Sequence, residues 1–321
     1  MKGIHPIVKL VSQRIALGLV LILAISVLIF AGTEILPGDV AQSILGQSAT
    51  PEALANLREE LGLNEPALSR YLDWLFSALQ GDLGTALTNG KDIASSIAGR
   101  LGNTLFLAFW AAIIAVPLAL TLGLVAARYA GRWPDKLISG VTLATISLPE
   151  FVVGYIVMYI LAVNYRLFPS TSVIYDSMSL WEKLNAIALP VIVLVLVVLA
   201  HMMRMTRAAI LNVMQSPYIE TAELKGLKPA AIIARHAFPN AVAPVVNVVM
   251  LNLAYLVVGV VVVEVVFVYP GIGQYLVDHV SKRDVPVVQA CGLIFAAVYI
   301  SLNILADVVS ILTNPRLRHP K

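Results

Sequence analysis

The sequence carries little charge. Only 13% of its 321 residues are Asp, Glu, Lys or Arg, against roughly 25% in an average soluble domain. Hydrophobic residues make up 59% of the chain, and the mean hydropathy is +0.86. This composition excludes an ordinary soluble globular protein and predicts an integral membrane protein.

Cysteine is nearly absent. The single cysteine, Cys291, lies inside an apolar block. A single cysteine excludes an intramolecular disulfide and a cysteine-based metal site. We expect Cys291 to be a small buried apolar side chain.

The motifs of common enzymes are also missing. The sequence contains no G-x4-G-K-[ST] phosphate loop, no H-E-x-x-H and no G-x-S-x-G, and its five histidines are scattered. No basic stretch interleaved with aromatic residues indicates nucleic-acid binding. We therefore predict a non-enzyme that binds no metal or cofactor of its own.

Long apolar blocks are abundant, and a helix needs about 20 mostly apolar residues to cross a bilayer. Six blocks satisfy this length, which predicts an all-α polytopic membrane protein with six transmembrane helices. The blocks are Ile15–Thr33, Thr104–Ala127, Leu137–Val163, Ala186–Met203, Ala241–Val268 and Val287–Leu312. The first exceeds the usual 7–15 residues of a signal peptide's apolar region, so we expect an uncleaved span.

Basic residues predict the orientation. Six spans place both termini on one side, together with fourteen Lys and Arg residues, while eight lie on the other side. Four of those eight fall in the long first loop, where the positive-inside rule counts for little. We expect both termini in the cytoplasm.

The first loop contains the patterns of two short amphipathic helices, "SATPEALANLREELGL" and "EPALSRYLDWLFSALQG". Thr50 is a candidate N-cap for the first, while Gly62 and Gly81 are candidate stops. The two helices either pack on the membrane domain or form a contact surface for a soluble partner.

A polar stretch, "YIETAELKGLKPAAIIARHAFPNAV", interrupts the apolar blocks from Tyr218 to Val242. Gly226 favours a left-handed helix end, Pro229 a second helix start and Pro239 its end, so we predict a compact helix–turn–helix. Its small residues would let a partner approach closely and its charges would orient that partner; the small residues are Ala222, Gly226, Ala230, Ala231 and Ala234. The alternative is an amphipathic helix lying on the lipid surface.

Three acidic residues lie inside predicted spans, where ionisable groups are functional candidates. Glu150 follows Pro149, which frees a backbone carbonyl, and we expect it either to face a translocation path or to bond a neighbouring subunit. Glu264 is expected to accept hydrogen bonds from backbone amides near Pro270–Gly273. Asp307 is expected to pair with Arg316, Arg318 or an arginine of the opening region.

Arg204 and Arg207 lie three residues apart on one helix face, just before the polar stretch. They either pair with acids such as Glu220 or Asp307, or only anchor the span by the positive-inside rule.

Glu220-Thr221-Ala222, three residues, Gly226 and then Phe238-Pro239 resemble the EAA loop of type I ABC-importer permeases, EAA-x3-G-x9-I-x-L-P. The chain departs from that pattern at Thr221, His236 and Phe238. Six further segments, in the same order, are similar to the B-type subunit of dipeptide/oligopeptide/nickel permeases. These segments are "LPGDVAQSILGQSATPEALANLREELGL", "GDLGTAL", "RLGNTLFLA", "MRMTRAAILNVM", "EVVFVYPGIGQYLVDHV" and "LADVVSILTNPRLR".

The resemblance implies the type I permease fold and a bacterial inner-membrane subunit that forms half of a pore for peptides or similar solutes. It implies as partners a second, C-type permease subunit, two ATP-binding subunits that hold ATP and Mg, and a periplasmic substrate-binding protein. The ATPase-coupling residues would be Glu220, Thr221, Ala222, Lys225, Gly226, Leu227, Arg235 and Pro239.

The expected division is an N-terminal helix with a periplasmic segment over residues 1–99, a transmembrane domain over 100–314 and a cytoplasmic tail over 315–321. The coupling loop would span about residues 216–239. Two other functions stay open: an ion-coupled secondary transporter using Glu150, Glu264 and Asp307, and a non-transporting scaffold. Inverted repeats would support the secondary transporter.

Overall fold

The computed structural model describes residues 6–35, 40–45, 49–60 and 62–313, and the named secondary-structure elements within them are all helices. The helices of the first loop and the N-terminal half are α1 (Pro6–Ile35), α2 (Val40–Leu45), α3 (Pro51–Glu60), α4 (Ala67–Leu79), α5 (Ile93–Arg128), α6 (Trp133–Ile146) and α7 (Glu150–Met158). The remaining helices are α8 (Leu180–Ala186), α9 (Ala188–Met214), α10 (Pro217–Leu224), α11 (Pro229–Ile232), α12 (Phe238–Val266), α13 (Ile272–Ser281) and α14 (Val285–Thr313).

Five helices of the described residues are long and apolar enough to cross a membrane, and a sixth span results if α6 and α7 are counted as one. The predicted third span is not a single rod, because these two helices are bent by 102° at residues 147–149. Pro149 explains the break: proline lacks an amide hydrogen and disfavours helical conformation at the residue before it.

The central packing is between α5 and α9. One face of α5 carries small residues at helical spacing, namely Ala108, Ala111, Ala115, Ala119 and Gly123, and all are buried. A side chain at Gly123 would meet Thr206 at 2.9 Å and the Met203 carbonyl oxygen at 3.1 Å. Small residues at such a seam let two helices approach closely, which is how membrane helices gain packing energy without water.

The first helix lies at the margin of this bundle. It packs along α14, where the Gln289 amide donates to the Thr33 hydroxyl at 2.7 Å. Arg14 and Asp307 join the other ends of the same two helices at 3.3 Å. Most of the remaining α1 surface is apolar and exposed, as expected of a helix that faces lipid.

Both predicted helices of the first loop are present as α3 and α4. The Thr50 hydroxyl accepts a hydrogen bond from the Ala53 amide at 3.2 Å, and Gly62 and Gly81 both have positive φ. The predicted boundary between residues 99 and 100 falls inside α5, which starts at Ile93 and is continuous there. The tail, with Arg316 and Arg318, lies outside the described residues.

Candidate functional site

The first half of the polar stretch forms α10, a turn and α11; we call residues 217–232 the polar segment. Its turn is closed by two backbone hydrogen bonds, from the Gly226 amide to the Glu223 carbonyl at 2.8 Å and from the Leu227 amide to the Ala222 carbonyl at 3.3 Å. Gly226 has φ +75°. This pattern is the Schellman motif, and its left-handed position favours glycine.

One side of the polar segment is buried in the chain itself. Ile219, Ala222 and Ile232 belong to a cluster with residues at the ends of α5, α9 and α12. This position corrects the expectation for Ala222, which was expected to let a partner approach but packs inward. The segment is therefore attached to three long helices by apolar contacts.

The other side of the polar segment is exposed and charged. Its exposed coupling candidates are Glu220, Thr221, Lys225, Gly226 and Leu227. Leu224, which the sequence analysis missed, is 83% exposed among these charges. A single exposed leucine is common on protein surfaces, so Leu224 is a contact candidate because it lies among the exposed coupling candidates. The sequence did contain a signal for its exposure, because Leu224 does not continue the helical spacing of Ile219 and Ala222, the two residues that are buried.

Pro239 does not end a helix, contrary to the prediction. Residues Ile233–Ala237, which include Arg235 on the exposed side, form a wide π-helical turn that leads directly into α12. Pro239 is the second residue of α12, directly after this wide turn. The second helix of the polar segment, α11, is consequently continuous with the following span, as one helix from Pro229 to Val266.

Arg207 forms a bidentate ion pair with Asp135 at the start of α6, with both nitrogen–oxygen distances at 2.7 Å. Asp135 is buried and also accepts from the Gly131 amide at 2.8 Å. Arg207 thus pairs with an acid, as one of the two alternatives held, but that acid is Asp135 and not Glu220 or Asp307. Arg204, one turn earlier and exposed, lines a cleft of about 600 Å³ between α6 and α9.

Glu264 is fully buried and holds three elements together. Its Oε1 accepts a hydrogen bond from the Thr104 hydroxyl of α5 at 2.6 Å. Its Oε2 accepts from the amides of Gly273 and Gln274, at 2.7 and 3.1 Å. A Cβ at Gly271 would collide with this carboxylate. The glycines of "YPGIG" thus allow α13 to dock on the side chain of α12, much as a capping residue docks on a helix start.

Glu150 is the first residue of α7, at the break after Pro149. Its Oε1 is buried and has no hydrogen-bond partner among the described residues. A buried polar atom without a partner is uncommon, and an ionisable group inside a span is a candidate functional residue.

Two family models match the chain. The model described as binding-protein-dependent transport system inner membrane component matches residues 119–319. The model for the N-terminal membrane component of such systems matches residues 7–108. The chain belongs to this family of inner-membrane transport components. It is thus a permease subunit located in the inner membrane, and within the described part of this permease no group of His, Cys, Asp or Glu side chains is arranged to hold a metal ion.

Curated relatives match the permease over nearly its whole length. A probable peptide ABC transporter permease protein, y4tP, of Sinorhizobium fredii is 32% identical over 317 residues, which is 99% of this chain and 100% of the relative. Glutathione transport system permease protein GsiC of Salmonella typhimurium is 36% identical over 300 residues, 93% of this chain and 95% of the relative. The same protein of Escherichia coli O6:H1 is 35% identical over 92% of this chain and 94% of the relative.

Among solved structures, a chain of the MetNI methionine ABC transporter in an inward-facing conformation aligns with a TM-score of 0.48 and 16% identity. The alignment covers 69% of the permease and 96% of that chain.

Proposed function

We propose that the permease forms half of the translocation pore of an ATP-driven importer for peptides or similar small solutes. Support comes from its relatives, which are described as peptide and glutathione permeases; glutathione is itself a short peptide. The other half would be a second homologous permease subunit. Two ATP-binding subunits would hold ATP and Mg, and a periplasmic binding protein would deliver the solute.

We propose the polar segment as the contact with the ATP-binding subunits. The observation that carries the function is the division of this segment into an exposed and a buried side. Its exposed side offers Glu220, Lys225 and Leu224 to a partner, while its buried side is part of the cluster that joins α5, α9 and α12. Movement of the bound partner would therefore be transmitted directly to the spans. The excess of basic residues on this side of the chain supports a cytoplasmic location for the segment and both termini.

Co-purification tests this contact. We expect Leu224→Arg to remove the ATP-binding subunits from the permease isolated in lipid discs, because a buried unpaired charge weakens an interface strongly. Leu180→Arg is the matched control, since Leu180 is a leucine of α8 that is 57% exposed. Retention of the ATP-binding subunits by Leu224→Arg, or their equal loss in the control, would refute the assignment.

Glu150 is proposed to face the translocation path, where it would favour cationic groups such as a peptide's N-terminal amine. Its unpartnered buried oxygen and its place at the break support this. We expect Glu150→Gln to reduce uptake of basic peptides more than uptake of acidic peptides. Equal uptake of every peptide by the variant and the wild type would contradict the proposal and favour a bond to the neighbouring subunit.

The ion-coupled alternative fits the contacts less well. The Glu264 carboxylate accepts three hydrogen bonds, and Asp307 is paired with Arg14. Neither residue therefore offers a free carboxylate for an ion relay. Uptake into ATP-free vesicles driven by an ion gradient alone would overturn this preference.

A further inference from the structure

Helix α4 presents a packed face to α1. The Tyr71 hydroxyl lies 2.9 Å from the Ser26 hydroxyl, and the rings of Tyr71 and Trp74 have centroids 5.5 and 6.2 Å from that of Phe30. Arg70 forms an ion pair with Glu34. These contacts fix the rotation of α4 about its own axis.

The rest of the helix surface divides into two faces of opposite character. One face is a stripe of large apolar side chains at helical spacing, all of them exposed: Leu68, Leu72, Phe76 and Leu79. The other face consists of exposed polar residues, namely Ser69, Asp73 and Ser77. No residue of α4 is buried, so the apolar stripe has no cover within the described chain.

The position of α4 along α1 indicates what covers this stripe. Its contacts on α1 run from Ser26 to Glu34, the last third of the candidate span that ends at Ile35. The neighbouring α1 residues Val27 and Leu28 are apolar and exposed, as is Ile35. The stripe therefore adjoins the lipid-facing surface of α1 at the depth where a bilayer ends.

We propose that α4 is an interfacial helix whose apolar stripe, Leu68 to Leu79, is inserted into the membrane leaflet at the C-terminal end of α1. Tyr71 and Trp74 between stripe and span agree with this depth, since both residue types concentrate at membrane–water boundaries. The polar face carries no Lys or Arg, unlike helices that bind membranes by charge. Insertion should therefore need no anionic lipid. In this arrangement α4 supports the C-terminal end of α1, which packs along its length on α14.

Nitroxide labels on the assembled transporter in phosphatidylcholine discs test the proposal. Labels would replace Leu72 and Phe76 in the stripe, and Asp73 and Ser77 on the polar face serve as matched controls. The native Cys291 is fully buried, so introduced cysteines are labelled selectively. Collision with oxygen reports lipid, and collision with a water-soluble nickel chelate reports water.

We expect an oxygen-to-nickel collision ratio several times higher at Leu72 and Phe76 than at the controls, unchanged when anionic lipid is added. Equal nickel collision at all four positions would show a water-exposed helix and overturn the proposal. Low collision with both reagents at the stripe would also overturn it, because a protein partner would then cover the stripe. Co-purification of the other subunits with each labelled variant verifies that the transporter is intact.

Discussion

Replacing Gly226 by alanine perturbs only the backbone of the polar segment. A Cβ at this position meets nothing within 4 Å in the chain, so no steric clash within the subunit contributes. The strain comes from φ +75°, which costs a residue with a side chain about 1–2 kcal/mol. A free energy of this size changes the equilibrium between the hydrogen-bonded turn and the opened turn by about 5–30-fold.

The assay is a titration of ATP-binding subunits onto the permease held in lipid discs. We expect Gly226→Ala to weaken their apparent Kd by up to about 5–30-fold, and Gly226→Asn to weaken it less, because asparagine tolerates the left-handed conformation. The Gly226→Val variant should bind the ATP-binding subunits most weakly of the three. An alanine variant that binds as well as wild type would refute the argument. An asparagine variant that binds worse than alanine would show that space at the interface, and not backbone conformation, decides affinity.

Three further changes test the contacts between helices by thermal unfolding in discs. Thr104→Val removes the hydroxyl that donates to Glu264 and accepts from the Ile272 amide at 3.0 Å, so we expect about 1–3 kcal/mol of destabilisation for each group left unsatisfied. The control is Thr145→Val, at a half-buried threonine whose hydroxyl donates to a carbonyl of its own helix; equal melting temperatures of the two variants would contradict the network. Gly271→Ala should lower the melting temperature because its Cβ displaces the Glu264 carboxylate, whereas Gly102→Ala, with open space around it, should not. Arg207→Lys should lower it as well, since lysine cannot form the bidentate pair with Asp135; an unchanged melting temperature would show that the pair adds nothing.

The local features of the fold follow from short-range chemistry, and the sequence therefore predicts them well. Apolar length predicts the long helices, and the candidate cap Thr50 and the stops Gly62 and Gly81 have the hydrogen bond or the positive φ that their positions require. The turn at Gly226 is equally local, because its two hydrogen bonds join residues within five positions. Such features depend on neighbouring residues alone.

Few features that depend on distant residues could be predicted; the pairing of Asp307 with an arginine of the opening region, which is Arg14, is the exception. Asp135 and Arg207 are 72 positions apart, and only the packing of α6 on α9 makes them partners. The inward direction of Ala222 depends on where α9 and α12 place their ends. The continuity of α11 with α12 depends on a wide turn that has no clear sequence signature. In each case the deciding contact comes from tertiary packing, which local propensity does not specify.

The continuous helix from Pro229 to Val266 is longer than the bilayer is thick. Its 38 residues would extend about 57 Å if straight. One end carries the polar segment, while Glu264, two residues from the other end, holds α13 and α5 by hydrogen bonds. A tilt of about 5° at one end would displace the other by about 5 Å over this length. Under the proposed contact, this helix would act as a lever: a small displacement of a subunit bound at Leu224 would reposition α13 at the other end of the helix.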